Sequence, residues 1–406
     1  MRVVLFTGKG GVGKTTAAAG TAALAARLGR KTLVLSTDTA HSLGDAFGIN
    51  ERAGAGSDPV EVEFGLHVQQ LDAQRRFERS WSELREYLVT VLDVAGVGAV
   101  AAEELTVLPG AAEVLALLEV RDQVQSGRWD LVVVDCAPTA ETLRLLALPE
   151  ALGWYLERLA PMERRVARSL RPMLGRAAGL PAPADGVLAA LGSLTEQLGQ
   201  VRAVLTDAGT SVRLVLTPEA VVVAEARRTL TSLSLFGYRV DAVVANRVFP
   251  ADGADPWRAA WVRAQSAQLR QVEDSFGPLP VFRAPYAHRE PVGFDALADF
   301  AADLYRGPEG DVADPFCVLS GHGDDDLLTV ERSGEEFVLS LALPLADRSQ
   351  MDLARSGDDL VVTVGGYRRI FALPSALRRC TVVGAALREG RLRVRFEPDP
   401  ALWRGL

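Results

Sequence analysis

Residues Gly8-Lys9-Gly10-Gly11-Val12-Gly13-Lys14-Thr15 hold what phosphate chemistry needs within a single loop. They fit the pattern G-x-x-x-x-G-K-[ST]. The glycines let successive backbone N–H groups converge on phosphate oxygens. Apolar residues precede the loop, and a helical pattern begins at Thr15 and Thr16, so the positive end of a helix would face the same anion. In this reading Lys14 bridges the β- and γ-phosphates and the Thr15 hydroxyl ligates Mg²⁺. Gly8 to Thr16 are thus the expected nucleotide-binding segment, with ATP and Mg²⁺ as the expected ligands.

Lysine usage sharpens this reading. The chain has three lysines, Lys9, Lys14 and Lys31, against a Lys plus Arg total of 44. Two of the three lie in the glycine loop, where a compact ammonium fits between phosphate oxygens better than a planar guanidinium. Three apolar strands end on further polar groups. Asp38 follows the strand 31–36, and Asp135 closes Leu131–Val134, as expected of an acid that holds Mg²⁺ through water. Asn246-Arg247 follows Val240–Ala245, where an amide could pair with a base edge.

The form K-G-G-x-G-K-T, with Lys9 as the additional lysine, resembles the deviant phosphate loop of MinD, nitrogenase iron protein and the arsenite-pump ATPase. The string Ser36-Thr37-Asp38-Thr39-Ala40-His41-Ser42-Leu43-Gly44-Asp45-Ala46-Phe47 is similar to the first switch of the ArsA and eukaryotic tail-anchored-protein-targeting ATPases. Asp135-Cys136-Ala137-Pro138-Thr139-Ala140-Glu141-Thr142-Leu143-Arg144 resembles their second switch. Thr39 replaces a proline of the first pattern, and Ala140-Glu141 a Gly-His pair of the second. The resemblance spans residues 1 to about 305. It implies an ATPase in which Asp38 orients the attacking water and Lys9 reaches the nucleotide of a second copy, so that a homodimer closes over ATP. It further implies that Asp45 is a second-shell Mg²⁺ residue, that Asn246 and Arg247 read the adenine, and that the string from Pro285 to Gly293 covers the base. Lys9, Lys14 and Asp38 are the expected catalytic residues.

The elements that must position these groups follow from periodicity. Arg2–Thr7, Lys31–Ser36, Leu131–Asp135, Val212–Thr217, Val240–Asn246 and Pro280–Arg283 read as apolar, β-branched strands. Thr15–Leu28, Ala111–Gln125, Glu219–Leu235 and Pro256–Phe276 read as helices between them. Such alternation predicts an α/β P-loop NTPase with a mostly parallel sheet covered by helices. Residues 150–208 read as a helical insertion, and 1–306 as one domain. A Gly-, Asp- and Pro-rich linker is expected at 307–326. Beyond it, alternating strands with glycine turns predict an all-β sandwich at 327–398. This module resembles the small-heat-shock-protein-like (α-crystallin-like) domain appended to some ArsA-like ATPases.

Composition narrows the partners. A net charge of -8 argues against nucleic acid. Cys136, Cys317 and Cys380 are too far apart in sequence for a zinc motif or a disulfide framework. No apolar run reaches the roughly 18–20 residues of a membrane span, and a cytoplasmic protein is expected. The resemblance implies a hydrophobic or amphipathic protein client, such as a membrane-protein segment, bound by Val89–Val107 and the 150–208 region. Met162 and Met173 are the only methionines of that groove, which predicts a less adaptable surface. Two other uses of ATP fit the same residues. One is a nucleotide-gated scaffold or holdase acting through an edge strand of the β module. The other is an arsenite or antimonite pump subunit, which would need clustered thiolates.

Overall fold

The computed structural model describes residues 1–38, 42–49, 58–71, 111–137, 185–251, 255–306 and 327–402. Of the expected client surface, Val89–Val107 and residues 150–184 lie outside these residues, as do the switch residues Thr39–His41 and Pro138–Arg144, the linker 307–326 and Cys317.

One large sheet organises the first part of the chain. Its strands are β1 (Arg2–Thr7), β2 (Thr32–Ser36), β3 (Val60–Glu63), β4 (Leu66–Gln70), β5 (Leu131–Asp135), β6 (Thr210–Leu216), β7 (Val240–Val248) and β8 (Val281–Pro285). They lie in the order β3-β4-β2-β5-β1-β6-β7-β8. Every pairing is parallel except β3 with β4. β1, β2, β5 and β6 are buried along their whole length, as strands covered on both faces must be. The β3–β4 hairpin has no expected counterpart. Its outer strand alternates half-buried and exposed residues, as an edge strand does.

Helices α1 (Lys14–Arg27), α2 (Ser42–Phe47), α3 (Ala111–Gln125), α4 (Asp185–Thr206), α5 (Ala220–Phe236), α6 (Pro256–Phe276) and α7 (Phe294–Leu304) connect the strands. α1 is a buried, alanine-rich rod, and its small side chains let α7 approach closely. A Cβ at Gly20 would lie 2.9 Å from the Leu297 carbonyl oxygen. α4 accounts for the last part of the 150–208 stretch. It packs on α3 and β6, and Val201 and Leu205 belong to the main core. The described end of that helix therefore lies against the α/β core.

The C-terminal part is two antiparallel sheets, as the alternating pattern predicts. One has the order β14-β15-β10-β9 and the other β11-β12-β13. The strands are β9 (Leu328–Ser333), β10 (Glu336–Ala342), β11 (Met351–Ser356), β12 (Asp359–Val364), β13 (Tyr367–Ala372), β14 (Cys380–Arg388) and β15 (Arg391–Pro398). Leu339, Leu341, Leu360, Val362, Phe371, Val394 and Phe396 share one core between them.

The β module is docked on α5. Leu235 of α5 is buried within the core of the β module, while Tyr367 and Leu345 pack against the core of the large sheet. Phe236 and Tyr367 meet edge to face at 6.1 Å between ring centroids. The Thr231 hydroxyl donates to the Pro344 carbonyl at 2.6 Å, and Arg369 of β13 donates to the Leu235 carbonyl. Gly237, with φ of 86°, ends α5 in the left-handed conformation that glycine favours. A Leu235→Ala substitution should cost about 2–5 kcal/mol. Chemical denaturation of the full chain should show the β module unfolding at lower denaturant. An unchanged transition would mean that the junction contributes little.

Candidate functional site

β1 and β5 lie side by side, with Phe6 in register with Asp135. The glycine loop leaving β1 and the acid ending β5 therefore meet at the C-terminal edge of the sheet. Ligand sites of open α/β sheets form at such strand ends. Two glycines there are required by space. A Cβ on Gly8 would lie 2.1 Å from the Val215 carbonyl oxygen of β6. A Cβ on Gly13 would lie 2.3 Å from the Asn246 side-chain nitrogen, and Gly13 also has φ of 91°. The loop is thus clamped between β6 and the end of β7.

Asn246 supplies that clamp. Its Nδ2 donates to the Val12 carbonyl at 2.8 Å, and its Oδ1 accepts from the Arg247 N–H at 2.9 Å. One amide N–H of the residue expected to read adenine is therefore committed to the phosphate loop, leaving the second for a base. Arg247 is exposed and holds a positive φ of 56°. Buried Gln265 of α6 pins this turn. It accepts from the Phe249 N–H at 2.8 Å and donates to the Arg247 carbonyl at 3.0 Å.

Lys14 opens α1 and is buried, with its Nζ 3.4 Å from the Lys9 carbonyl oxygen. Lys9 itself is half-buried, as are Thr15 and Thr16. The Thr15 hydroxyl donates to Asp135 Oδ2 at 2.9 Å and lies 3.2 Å from the Ser42 hydroxyl. The Ser36 hydroxyl donates to the same Asp135 oxygen at 3.4 Å. Asp135 Oδ1 is buried and has no hydrogen-bond partner among the described residues. Burial pushes the Asp135 carboxyl up to about 6, against the lowering effects of Thr15 and Lys14. Thr15 and Asp135 form a hydroxyl–carboxylate pair of hard oxygens, a donor set that suits Mg²⁺, and the unsatisfied Oδ1 is an atom that a hydrated cation would satisfy.

Asp38 follows β2, beside this pair. Its N–H donates to the Ser36 hydroxyl at 3.1 Å, and its carbonyl accepts from Gln70 of β4 at 2.8 Å. Asp45 is exposed on α2. The α2 residue that meets Thr15 is Ser42, the first residue of the helix. Ser36, Ser42 and Gln70 are the site residues that the sequence expectations omit. Ser36 and Ser42 stand in the first switch string, where they carry no separate signal. Gln70 lies on the unforeseen hairpin. An aromatic cluster is also new. Phe249 stacks on Tyr286 at 5.3 Å between centroids and meets Trp257 and Trp261 at 6.4 and 6.3 Å. The i, i+4 spacing of Trp257 and Trp261 on α6 was its only sequence signal.

A glycine loop between a buried strand and a helix, with an acid ending the adjoining strand, defines a P-loop nucleotide hydrolase. The chain belongs to the ArsA family: the family model described as anion-transporting ATPase matches residues 1–306, and the model of the HSP20-like domain found in ArsA matches 334–396. It is a nucleotide-binding ATPase. SCO2128 of Streptomyces coelicolor is 40% identical over 406 residues, covering 99% of both chains. A protein of Chlorobaculum tepidum named "Putative arsenical pump-driving ATPase" is 33% identical over 401 residues, 98% of this chain and 96% of that one. The protein named ATPase get3 of Aspergillus niger is 30% identical over 318 residues, 76% of this chain and 93% of its own. The similarity thus reaches relatives matched over both parts of the chain and one matched over about three quarters of it.

Because burial raises the Asp135 carboxyl, its charge costs the metal-free protein stability above pH 6, and that cost vanishes below about pH 4. Asp135→Asn should therefore raise the stability of the protein in EDTA at pH 8 by on the order of 1–3 kcal/mol, with no difference near pH 4. Equal melting curves at pH 8 would contradict the assignment. Gly13→Ala should abolish nucleotide binding in a titration calorimeter; retained binding would show that the clamp is not needed.

Proposed function

We propose that the chain is a homodimeric switch that hydrolyses ATP with Mg²⁺ and binds a hydrophobic or amphipathic client segment for targeting or chaperoning. The observation that carries the chemistry is the contact of Thr15 with the buried Asp135, set against the phosphate loop and beside Asp38. Thr15 and Asp135 would hold Mg²⁺, which when bound offsets phosphate charge. Lys14, opening α1, contacts the β- and γ-phosphates. The Asp38 backbone is held by Ser36 and Gln70, and its carboxylate would orient water for attack on the γ-phosphate. Lys9, half-buried on the loop, extends to the nucleotide of the second protomer. Asn246, Arg247 and the turn after β8 contact the base.

The ATPase portion matches 93% of ATPase get3, and the client reading rests on the resemblance of both switch strings to the targeting ATPases. A second reading, driving an arsenical pump, rests on the printed name of the Chlorobaculum relative. Against it, Cys136 just after β5 and Cys380 at the start of β14 are both buried and lie in different parts of the fold, and burial pushes the Cys136 thiol far above its ordinary range. Soft metalloid binding favours accessible thiolates close together.

Asp38→Asn should keep ATP affinity while lowering turnover at least about a hundredfold. Unchanged turnover would refute its role. The same variant, held in ATP, should retain a transmembrane-helix peptide in a pull-down. Failure to bind such a peptide in any nucleotide state would refute the client reading. Arsenite-stimulated hydrolysis would favour the pump, and loss of a partner on removing residue 327 onward alone would favour a scaffold.

A further inference from the structure

Gln265 of α6 is buried, and both ends of its amide bind backbone beside Asn246. Its Oε1 accepts from the Phe249 N–H at 2.8 Å, and its Nε2 donates to the Arg247 carbonyl at 3.0 Å. The one side chain thus spans the turn from Arg247 to Phe249 and fixes its shape. Within that turn Arg247 has φ of 56°. A residue with a Cβ holds this left-handed conformation only at a cost, so its surroundings must impose it. The two bonds from Gln265 do so.

α6 offers Gln265 from a firm position. Asp255 caps the helix by accepting from the Trp257 and Arg258 N–H groups at 2.9 and 3.0 Å, and Pro256 opens it. Leu269, Val272 and Phe276 anchor its other end in the core. Trp257, Trp261, Gln265 and Leu269 are spaced by four residues and so share one face of the helix. The Phe249 ring meets Trp257 and Trp261 on that face and stacks on Tyr286. The Tyr286 N–H donates in turn to the Val248 carbonyl at 2.8 Å.

The conformation at Arg247 sets where its N–H points, and this N–H donates to Asn246 Oδ1 at 2.9 Å. The Val12 carbonyl, which Asn246 Nδ2 reaches at 2.8 Å, can only accept. The Asn246 amide is therefore held in one orientation, with its nitrogen on the phosphate loop and its oxygen on Arg247. One N–H and one lone pair remain, both at fixed places. Adenine offers an acceptor, N7, beside a donor, the N6 amino group, and this pair matches them. Guanine offers two acceptors, N7 and O6, and one would face the Asn246 oxygen. An amide free to turn would give N–H groups to guanine as readily as to adenine.

We propose that Gln265 is a positioning residue for base choice. By holding the turn at Arg247 it keeps Asn246 in the orientation that selects adenine nucleotides over guanine nucleotides. The inference rests on the reading of Asn246 as the residue that contacts the base.

The test is calorimetric titration of ADP and of GDP, each with Mg²⁺, into three full-length proteins: wild type, Gln265→Met and Asn246→Ala. Methionine is as long as glutamine and removes both bonds. The readout is the ratio of the two affinities, which a smaller folded fraction leaves unchanged. Wild type should prefer ADP by at least about tenfold. Gln265→Met and Asn246→Ala should each bind the two nucleotides within about threefold of one another. A preference kept in Gln265→Met and lost in Asn246→Ala would overturn the inference and leave Asn246 as the base contact. A preference kept in both variants, or absent from wild type, would overturn the reading of Asn246 along with it. A preference lost in Gln265→Met and kept in Asn246→Ala would contradict the route through Asn246. Loss of both nucleotides from either variant would show that the residue supports the whole site and not base choice, which also overturns the inference.

Discussion

The buried carboxylate of Asp135 is the constraint on which the site depends. A charged group at the end of a fully buried strand costs free energy unless it is paired. One of its oxygens receives the Thr15 and Ser36 hydroxyls, and the other receives nothing among the described residues. The site is thus folded around an unmet demand for positive charge. Lys14 answers part of it through the field, and a hydrated cation would answer the rest. The surrounding elements serve to hold Thr15, Ser36 and Lys14 at that one carboxylate. α1 presents Thr15 in its first turn, β2 presents Ser36, and β1 in register with β5 sets the distance between loop and acid.

The loop is held as firmly as the acid. Gly8 touches the Val215 carbonyl of β6, and Gly13 touches Asn246 near the end of β7, so two strands on the other side of β1 fix its path. Beyond them, Gln265 of α6 secures Arg247 and Phe249, and α5 carries the β module on its C-terminal end. A continuous set of packed elements therefore runs from the phosphate loop through β6 and α5 to Arg369. Closer to the core, Arg213 of β6 bonds the Tyr305 hydroxyl, which also meets Thr21 of α1 at 2.7 Å. This ties the helix that follows the phosphate loop to the strand that precedes α5.

Much of this could be read from the chain before any coordinates, because the informative contacts are local. The glycine loop lies within eight residues, and each expected strand of the large sheet is a short apolar run that neighbours interrupt with turns. The parallel sheet, the antiparallel module and the ATPase family all follow from such local patterns. What could not be read is pairwise and distant. Asn246 and Val12 are 234 positions apart, and Arg369 and Leu235 are 134 apart. No propensity or spacing reports such contacts. The β3–β4 hairpin escaped because Glu61, Glu63 and His67 dilute its apolar pattern.

The central claim is that Asp135, half satisfied and buried, makes nucleotide binding depend on a divalent cation. The direct measurement is calorimetric titration of ATP into the wild-type protein and the Asp135→Asn variant, each with Mg²⁺ and with EDTA. Mg²⁺ should strengthen ATP binding by at least about tenfold in the wild type and far less in the variant. Equal strengthening in both proteins would contradict the account.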